Sequence, residues 1–534
     1  MISGPSRISR LFANPVFLLG LTAFLAAFVV QSGELGSSDT THRLQTAHSF
    51  WTSEPPVFPD EYPEFGIHGR NGKLYAWYGI GQSLLLLPSD ILGTYVERLP
   101  IFDDYDGTDP NVRDIVVSFS TNILVCVLSI LVCYRLLGLF DFSVNERLAG
   151  ALALLFGTTF LHYTQNMMEN NYILLLTLTG LCFQYEWLKT GKTRALLIGS
   201  IALGANLLTR LTTGMDWLGV GFFLLLAAWS SKIRGRELWS RFVSYVKVVL
   251  PVYIFFGLMD RLYQFIRFGS FFNTYLQVLT IEFRLRDPSL PAKYPFETPF
   301  HIGFFGALFS PEKSIFTYDP LLVLTILICI FGWKRFSAPL RAYLVTFGFL
   351  LLAYISFYAR YTDWAGDTAW GDRYAATAAQ LFAFISVPLL VRYRQNLSKL
   401  LWPVGVALIG LSVAVQLASV AFWCPLERYQ MDMIDQPTFF VGLRFSNIWN
   451  FALGHVDHWN LSPGLPAADM WDYVHITTLN FLPFLLKRVG VAPRWVVELT
   501  TVAWFAALAG LATVLISLWI QARRGNFNSL NRAA

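Results

Sequence analysis

The chain predicts an all-α protein that threads a lipid bilayer about twelve times, and three observations carry that expectation. Of its 534 residues 54% are hydrophobic and only 14% are charged, where a soluble domain carries roughly a quarter. Apolar stretches close to the length of a bilayer-spanning helix, about twenty residues, recur along the chain. Between them, short turns rich in Lys and Arg alternate with loops carrying Asp, Glu and aromatics, and basic turns stay on the cytoplasmic side.

The first span, near 11–30, follows Arg7 and Arg10 and has Pro15 in its first turn, where a proline is tolerated. Its length and the lack of a small-x-small cleavage site favour an uncleaved helix over a signal peptide. Further spans are expected at 115–137, 148–163, 172–188, 195–210, 213–230, 248–265, 318–333, 342–358, 375–391, 400–422 and 498–520. With the N-terminus inside, every inner turn is basic: Arg147, then Lys189, Lys192 and Arg194, then Lys232, Arg234, Arg236 and Arg241. Lys334, Arg335 and Arg341 follow, then Arg392, Arg394 and Lys399, and the tail with Arg523, Arg524 and Arg532. Dropping one span would put the later basic turns outside, so twelve is the favoured number.

Three segments are too long to be simple turns. The first outer loop, 31–114, holds an apolar run at 83–92 broken by Pro88, half a span long. It reads as an interfacial helix with Tyr75, Trp77 and Tyr78 at headgroup level. The second, 266–317, holds a Gly-Phe-Phe-Gly turn (Gly303 to Gly306) and the stretch from Ser310 to Lys313. The third, 423–497, is rich in Trp, Pro and Asp and reads as short helices on the membrane. The expected organisation is a transmembrane core at 1–422 with outer loops 31–114 and 266–317, an outer-face region at 423–497, and a last helix with its tail at 498–534. The net charge of +5 sits mostly in inner turns and reports orientation, not nucleic-acid binding. Four of five cysteines lie in spans and Cys424 at a span's end, without zinc or disulfide spacing.

Titratable residues gather on the outer side. Asp39 follows the first span and fits two compatible roles, a partly desolvated base or a cap for the helix starting near Thr40. Glu169 enters the bilayer with the fourth span, as a functional intramembrane carboxylate or as a loop-end acid in headgroup water. Arg210, Arg360 and Arg373 are positive charges against the insertion bias. They suit phosphate oxygens at that depth or pairing with Asp363, Asp367 or Asp372. Lys313 is a further phosphate contact or the partner of Glu312. Tyr78-Gly79-Ile80-Gly81-Gln82 lacks the strand-to-helix setting of a nucleotide loop and reads as a close-packing turn.

Asp39-Thr40-x-x-Arg43-Leu44, Gly72-Lys73-Leu74-Tyr75-x-x-Tyr78-Gly79-x-Gly81, Phe309-Ser310-Pro311 and Trp370-Gly371-Asp372-Arg373-Tyr374 occur in that order. Together, up to about residue 392, they resemble the bacterial GT-C-type membrane glycosyltransferases, the superfamily of protein O-mannosyltransferases and lipid A aminoarabinose transferases. The resemblance implies transfer of a sugar from a polyprenyl-phosphate carrier to a glycan, lipid or protein acceptor at the outer face of the inner membrane. Inversion at the anomeric carbon and an acidic base in the first outer loop, here Asp39, come with it. Members often carry two adjacent acids at this point. Here Thr40 follows Asp39, which leaves the second acid open between Glu34 and Glu169. For the leaving phosphate Arg373 comes first, then Arg210 and Lys313. His42 and Arg43 orient the base or the sugar, and Tyr75, Tyr78, Trp77 and Trp370 offer rings to a sugar face or anchor the interface. No cofactor is implied, although Asp39 and Glu169 could share a divalent ion. The alternative is a multi-span transporter or flippase of lipid-linked sugars, for which Asp260 and Arg261 are the main support. A polymerase or ligase of envelope glycans is a third reading.

Overall fold

The computed structural model describes residues 14–59, 65–107, 110–231, 234–366, 368–395, 397–428, 430, 440–455, 478–490 and 492–523. Arg7, Arg10, Lys232, Asp367, Arg524 and Arg532 lie outside them.

Each of the twelve expected spans coincides with helix. The first is α1 (Pro15–Val30), whose N-cap Asn14 side chain accepts from two backbone N–H groups. After it come α2 (Ser38–His48), a two-strand hairpin β1 (Ile67–His68) and β2 (Leu74–Tyr75), and α3 (Gly81–Glu97). The last of these covers the expected apolar run and extends past it at both ends, with Pro88 inside it. The bundle continues with α4 (Val112–Leu139), α5 (Val144–Gly157), α6 (Phe160–Gln165), α7 (Asn170–Thr190), α8 (Thr193–Leu207), α9 (Gly214–Ser230) and α10 (Gly235–Phe268). Next are α11 (Tyr275–Arg286), α12 (Phe300–Phe309), α13 (Ile315–Tyr318), α14 (Leu321–Gly332) and α15 (Ala338–Tyr358). The chain ends with α16 (Ala376–Phe384), α17 (Ser386–Arg392), α18 (Leu401–Ser419), α19 (Phe440–Ala452), α20 (Leu482–Val489) and α21 (Arg494–Arg523). Six helical stretches are long and apolar enough to cross a bilayer unaided: Val112–Leu139, Leu211–Ser230, Gly235–Phe268, Ala338–Tyr358, Leu401–Ser419 and Arg494–Arg523. Shorter apolar helical stretches are Pro15–Val30, Thr193–Leu207, Phe300–Phe309 and Ala376–Arg392. The protein is an all-α polytopic membrane protein.

A continuous apolar core joins α1, α4 to α9 and α14 to α18. By contrast, α10 buries only Val249, Asp260, Gln264 and Arg267, and α21 only Val496, Ala507, Val514 and Leu518. Both expose Leu, Ile and Phe side chains along their length, as lipid-facing helices do. At one end of the bundle the basic turns are tied together. Arg392 pairs with Glu146 (2.8 Å), Lys189 with Asp141 (3.3 Å) and Arg135 with Glu186 (2.6 Å). Arg241 donates to the Leu188 carbonyl (2.6 Å).

Three local departures from the expected spans shape the opposite end. The 148–163 span breaks at Thr158, where the Asp319 carboxylate accepts the Thr159 N–H (2.7 Å) and hydroxyl (3.1 Å) and takes over bonds the helix lacks. Span 195–210 ends early at Leu207, so Arg210 sits in extended backbone (φ −152°, ψ 128°) before a single 3₁₀ turn. The Gly-Phe-Phe-Gly stretch is not a turn but part of α12. There Gly303 abuts the Ala359 carbonyl and Gly306 the Trp364 ring, so the two glycines serve close helix contact instead of reversal.

Candidate functional site

The site begins with how α2 is started. Ser37 is in extended conformation and its side chain accepts the Thr40 N–H (3.3 Å), so Ser37 is the cap. The expected capping role for Asp39 is therefore corrected: Asp39 lies in the first turn with its carboxylate free to turn outward. Just before it, Gly36 has φ +75° and packs so closely on Asn166 that a Cβ would lie 2.7 Å from the Asn166 Cα. The Thr40 hydroxyl donates to the Met167 carbonyl. These contacts dock α2 on the α6–α7 link, which carries Glu169.

Asp39 then meets a residue 334 positions away: its Oδ2 accepts from Arg373 Nη1 at 3.1 Å, and its Oδ1 from the Tyr78 hydroxyl at 2.6 Å. The alternative partner for Arg373, Asp372, is used otherwise. It accepts the Tyr374 and Ala375 N–H groups (3.0 and 3.3 Å) in the turn that precedes α16, while burial pushes its carboxyl up to about 6. Gly366 and Gly371, at φ +76° and +73°, make the turn that aims Arg373. Arg360 is exposed and pairs with none of the described acids, so its expected pairing is not seen.

Glu169 is not in headgroup water. Its side chain is 4% exposed and bridges Arg43 (2.9 Å) and Arg210. Burial alone would raise its carboxyl, but Arg43 and Arg210 outweigh it and hold the group well below the usual carboxylate range. Arg43 also lies over the Tyr78 ring (4.0 Å) and Arg210 over Tyr374 (5.5 Å). Tyr374 is stacked on Tyr358 (4.1 Å), whose hydroxyl meets that of Thr212 at 3.0 Å. Asn170 Nδ2 donates to the Arg373 carbonyl (3.1 Å). Three guanidinium groups and two carboxylates thus share one end of the bundle, interleaved so that each carboxylate touches a guanidinium.

Asp39 and Arg373 line a cavity of about 620 Å³ together with Glu34, His42, Phe58 and Trp423. His42 is stacked flat on Phe65 (3.4 Å), and its burial lowers the ring's pKa to about 4, so it is a neutral imidazole at pH 7. Glu34 is buried in the same wall. Other expected site residues lie apart from the cavity. Lys313 donates to the Ala369 carbonyl (2.7 Å) and braces the Arg373 loop. Tyr75 packs on Phe268 and Trp77 between Phe65 and Phe283. Trp370 is buried between His162 and Tyr318. As for a divalent ion, Asp39 and Glu169 face Arg43, Arg210 and Arg373, and no group of three metal-type ligands occurs among the described residues. A donor set already neutralised by three arginines does not fit a divalent cation.

Sequence reasoning missed three arginines. Arg267, 1% exposed, donates to the Ala76 and Tyr78 carbonyls and fixes the loop behind Asp39. It is another positive charge at the outer end of a span, so the signal that singled out Arg210 applied to it. Arg444 is wholly buried. It pairs with Glu427 (2.5 and 2.6 Å) and donates to carbonyls from Ala418 to Cys424, where the chain leaves α18 for the cavity wall. Arg113 joins His48 and Trp51 on the fully buried Asp90 (2.6, 3.0 and 2.7 Å). Nothing in the local sequence of the last two marks them.

The fold and site define a polytopic all-α membrane protein with a polar, arginine-braced cavity at one end of its helix bundle. No family model and no curated protein matches the chain. Among solved structures it is similar to ArnT from Cupriavidus metallidurans in the apo state, at 14% identity over 93% of this chain and 75% of that one, with a TM-score of 0.43. It is likewise similar to the same protein bound to undecaprenyl phosphate, at 12% identity over 96% and 75%, with a TM-score of 0.41. Similarity at that level locates neither a ligand nor a catalytic residue in this chain.

Proposed function

We propose that this protein is a membrane glycosyltransferase that moves a sugar from a polyprenyl-phosphate donor to an acceptor hydroxyl at the outer face of the bacterial inner membrane, with both termini cytoplasmic. The observation that carries the reading is the Asp39–Arg373 contact on the cavity wall, where a base and a phosphate-binding group are needed side by side. The motif resemblance supports it independently.

The reaction is a single displacement with inversion. Asp39 takes the acceptor's proton as the acceptor oxygen bonds to the sugar's C1, and the bond from C1 to the phosphate oxygen breaks with its electron pair on phosphate. The carrier phosphate gains one negative charge as Asp39 loses one. Arg373, released from its counter-ion at that moment, can follow the charge to the leaving group, and Arg210 and Arg43 add positive potential in a poorly hydrated setting. A phosphate monoester leaves as a stable anion, so no acid is required. Glu169 is a counter-ion that keeps Arg43 and Arg210 apart and aimed; Glu34 and Asp114 are the other acids within the cavity wall. His42, being neutral, orients by hydrogen bonding without adding charge.

The test is transfer in membranes supplied with labelled undecaprenyl-phosphate sugars. Asp39→Asn is expected to abolish transfer with the donor still bound, and full activity in that variant refutes the base. Arg373→Ala is expected to weaken donor use, and unchanged donor saturation refutes its role. The features that support the transporter reading, Asp260 and Arg261, pair with each other near the end of α10. Proteoliposome uptake without covalent product would favour that reading.

A further inference from the structure

Asp39 has one neighbour that the proposed chemistry leaves unexplained. Tyr78 does not line the cavity, yet its hydroxyl holds the carboxylate oxygen opposite the one that Arg373 holds. The segment bearing it is anchored on every side. Arg267, from the otherwise lipid-exposed α10, donates to the carbonyls of Ala76 and Tyr78 (3.0 Å for Tyr78). Gly79 and Gly81 lie against the backbone of Leu208 and Thr209, and the Gly81 N–H donates to the Leu208 carbonyl (2.8 Å). Gln82 Nε2 donates to the Met167 carbonyl (3.0 Å), the acceptor that Thr40 of α2 also uses. The ring itself is covered by the Arg43 guanidinium.

We infer that Tyr78 is a positioning residue: held from behind by Arg267 and the glycine contacts, its hydroxyl fixes the plane of the Asp39 carboxylate so that a lone pair stays directed into the cavity. The sequence reading placed Tyr78 against substrate; the geometry points to an action through Asp39. Each carboxylate oxygen has two lone pairs, so one donor per oxygen leaves capacity for an acceptor proton. With the Arg373 contact alone, the carboxylate could swing about its side-chain bonds and spend most of its time misaligned. A base held off its reacting geometry loses rate without losing substrate affinity.

This inference rests on Asp39 being the base, and the experiment separates the two. The full-length protein in lipid nanodiscs, supplied with a cell-envelope glycan and lipid extract as acceptor, is assayed for release of undecaprenyl phosphate from a panel of undecaprenyl-phosphate pentoses and hexoses. Tyr78→Phe is expected to lower kcat by about ten- to a hundredfold, the range for a lost hydrogen bond to a charged group. The donor KM should stay within about twofold of the parent's, as expected where only alignment is lost. The thermal midpoint and undecaprenyl phosphate binding of the variant should match the parent. A raised donor KM with unchanged kcat would make Tyr78 a substrate contact and overturn the inference, as would an unchanged kcat. Misfolding is covered by Tyr78→Leu, which is smaller than the parent side chain and has no hydrogen-bond donor, so a parent-like kcat in a folded Leu variant overturns the inference too. If Asp39→Asn is itself fully active, the base assignment fails first and the inference with it.

Discussion

Replacing Glu169 by Gln tests the charge arrangement directly, because it keeps the side chain's shape and removes one charge. The carboxylate is 4% exposed, and its two partners, Arg43 and Arg210, are 5% and 12% exposed. In the parent each guanidinium has a carboxylate oxygen. In the variant one neutral carbonyl oxygen serves both, and the amide nitrogen points hydrogens at a cation. Removing one member of a buried ion pair costs about 3–5 kcal/mol, because the partner charge stays behind uncompensated. The partial exposure of Arg210 puts the expectation near the lower end, about 3 kcal/mol. The assay is the thermal midpoint of the detergent-solubilised full chain, followed by loss of the monodisperse peak. The single variant should melt well below the parent. Glu169→Gln combined with Arg210→Met should regain at least half the loss, since it removes the stranded charge. Arg210 is the better second site, as Arg43 also covers the Tyr78 ring. If Glu169→Gln melts with the parent, or the double variant is no better than the single, the three-arginine, two-carboxylate arrangement is wrong.

Two further outcomes follow from the same geometry. A Cβ at Gly79 would lie 2.3 Å from the Leu208 carbonyl oxygen, so Gly79→Ala must push the Tyr78 segment off the α8–α9 link. It should cost about 1–3 kcal/mol as overpacking does, whereas Gly214→Ala, which meets nothing within 4 Å, should melt like the parent. His42 is held down to about 4 by burial from an ordinary 6.5, so the unfolded chain binds its proton first as the medium is acidified. Its contribution is therefore whole above pH 6.5 and fades toward pH 4, by at most about 3 kcal/mol. His42→Gln should flatten the drop in thermal midpoint between pH 7 and 4.5, and an equal drop in both proteins refutes the assignment. Asp372, raised to about 6 by burial, runs the opposite way, which is why the comparison with the variant is needed.

Much of the site could be read from residues whose placement conflicts with their surroundings. Arg210 and Arg373 stood out as cations on the wrong side, and Glu169 as an acid entering the bilayer; all three lie in the cluster around Asp39. The close-packing role of Gly79 and Gly81 was also legible, and both meet Leu208 and Thr209, although the pair does lie between the two-residue strand β2 and α3, a setting the sequence reading did not expect. What misled was local pairing. Asp39 as a cap, Asp372 as the partner of Arg373 and Glu312 as that of Lys313 are all near in sequence. In the fold Ser37 takes the cap, Asp372 holds the turn before α16, and Lys313 reaches the Ala369 carbonyl.

The chain's own pattern determined where the apolar helices lie and that the class is an all-α membrane protein, because apolar length acts locally, one helix at a time. Which polar groups meet was left to tertiary structure. Asp39 and Arg373 are 334 residues apart. Arg267, Arg444 and Asp90 are buried only because distant segments close over them. Long-range pairing depends on where helices end to within a turn, as at Leu207 and Thr158, and on close contacts at Gly36, Gly79 and Gly81 that no periodicity encodes.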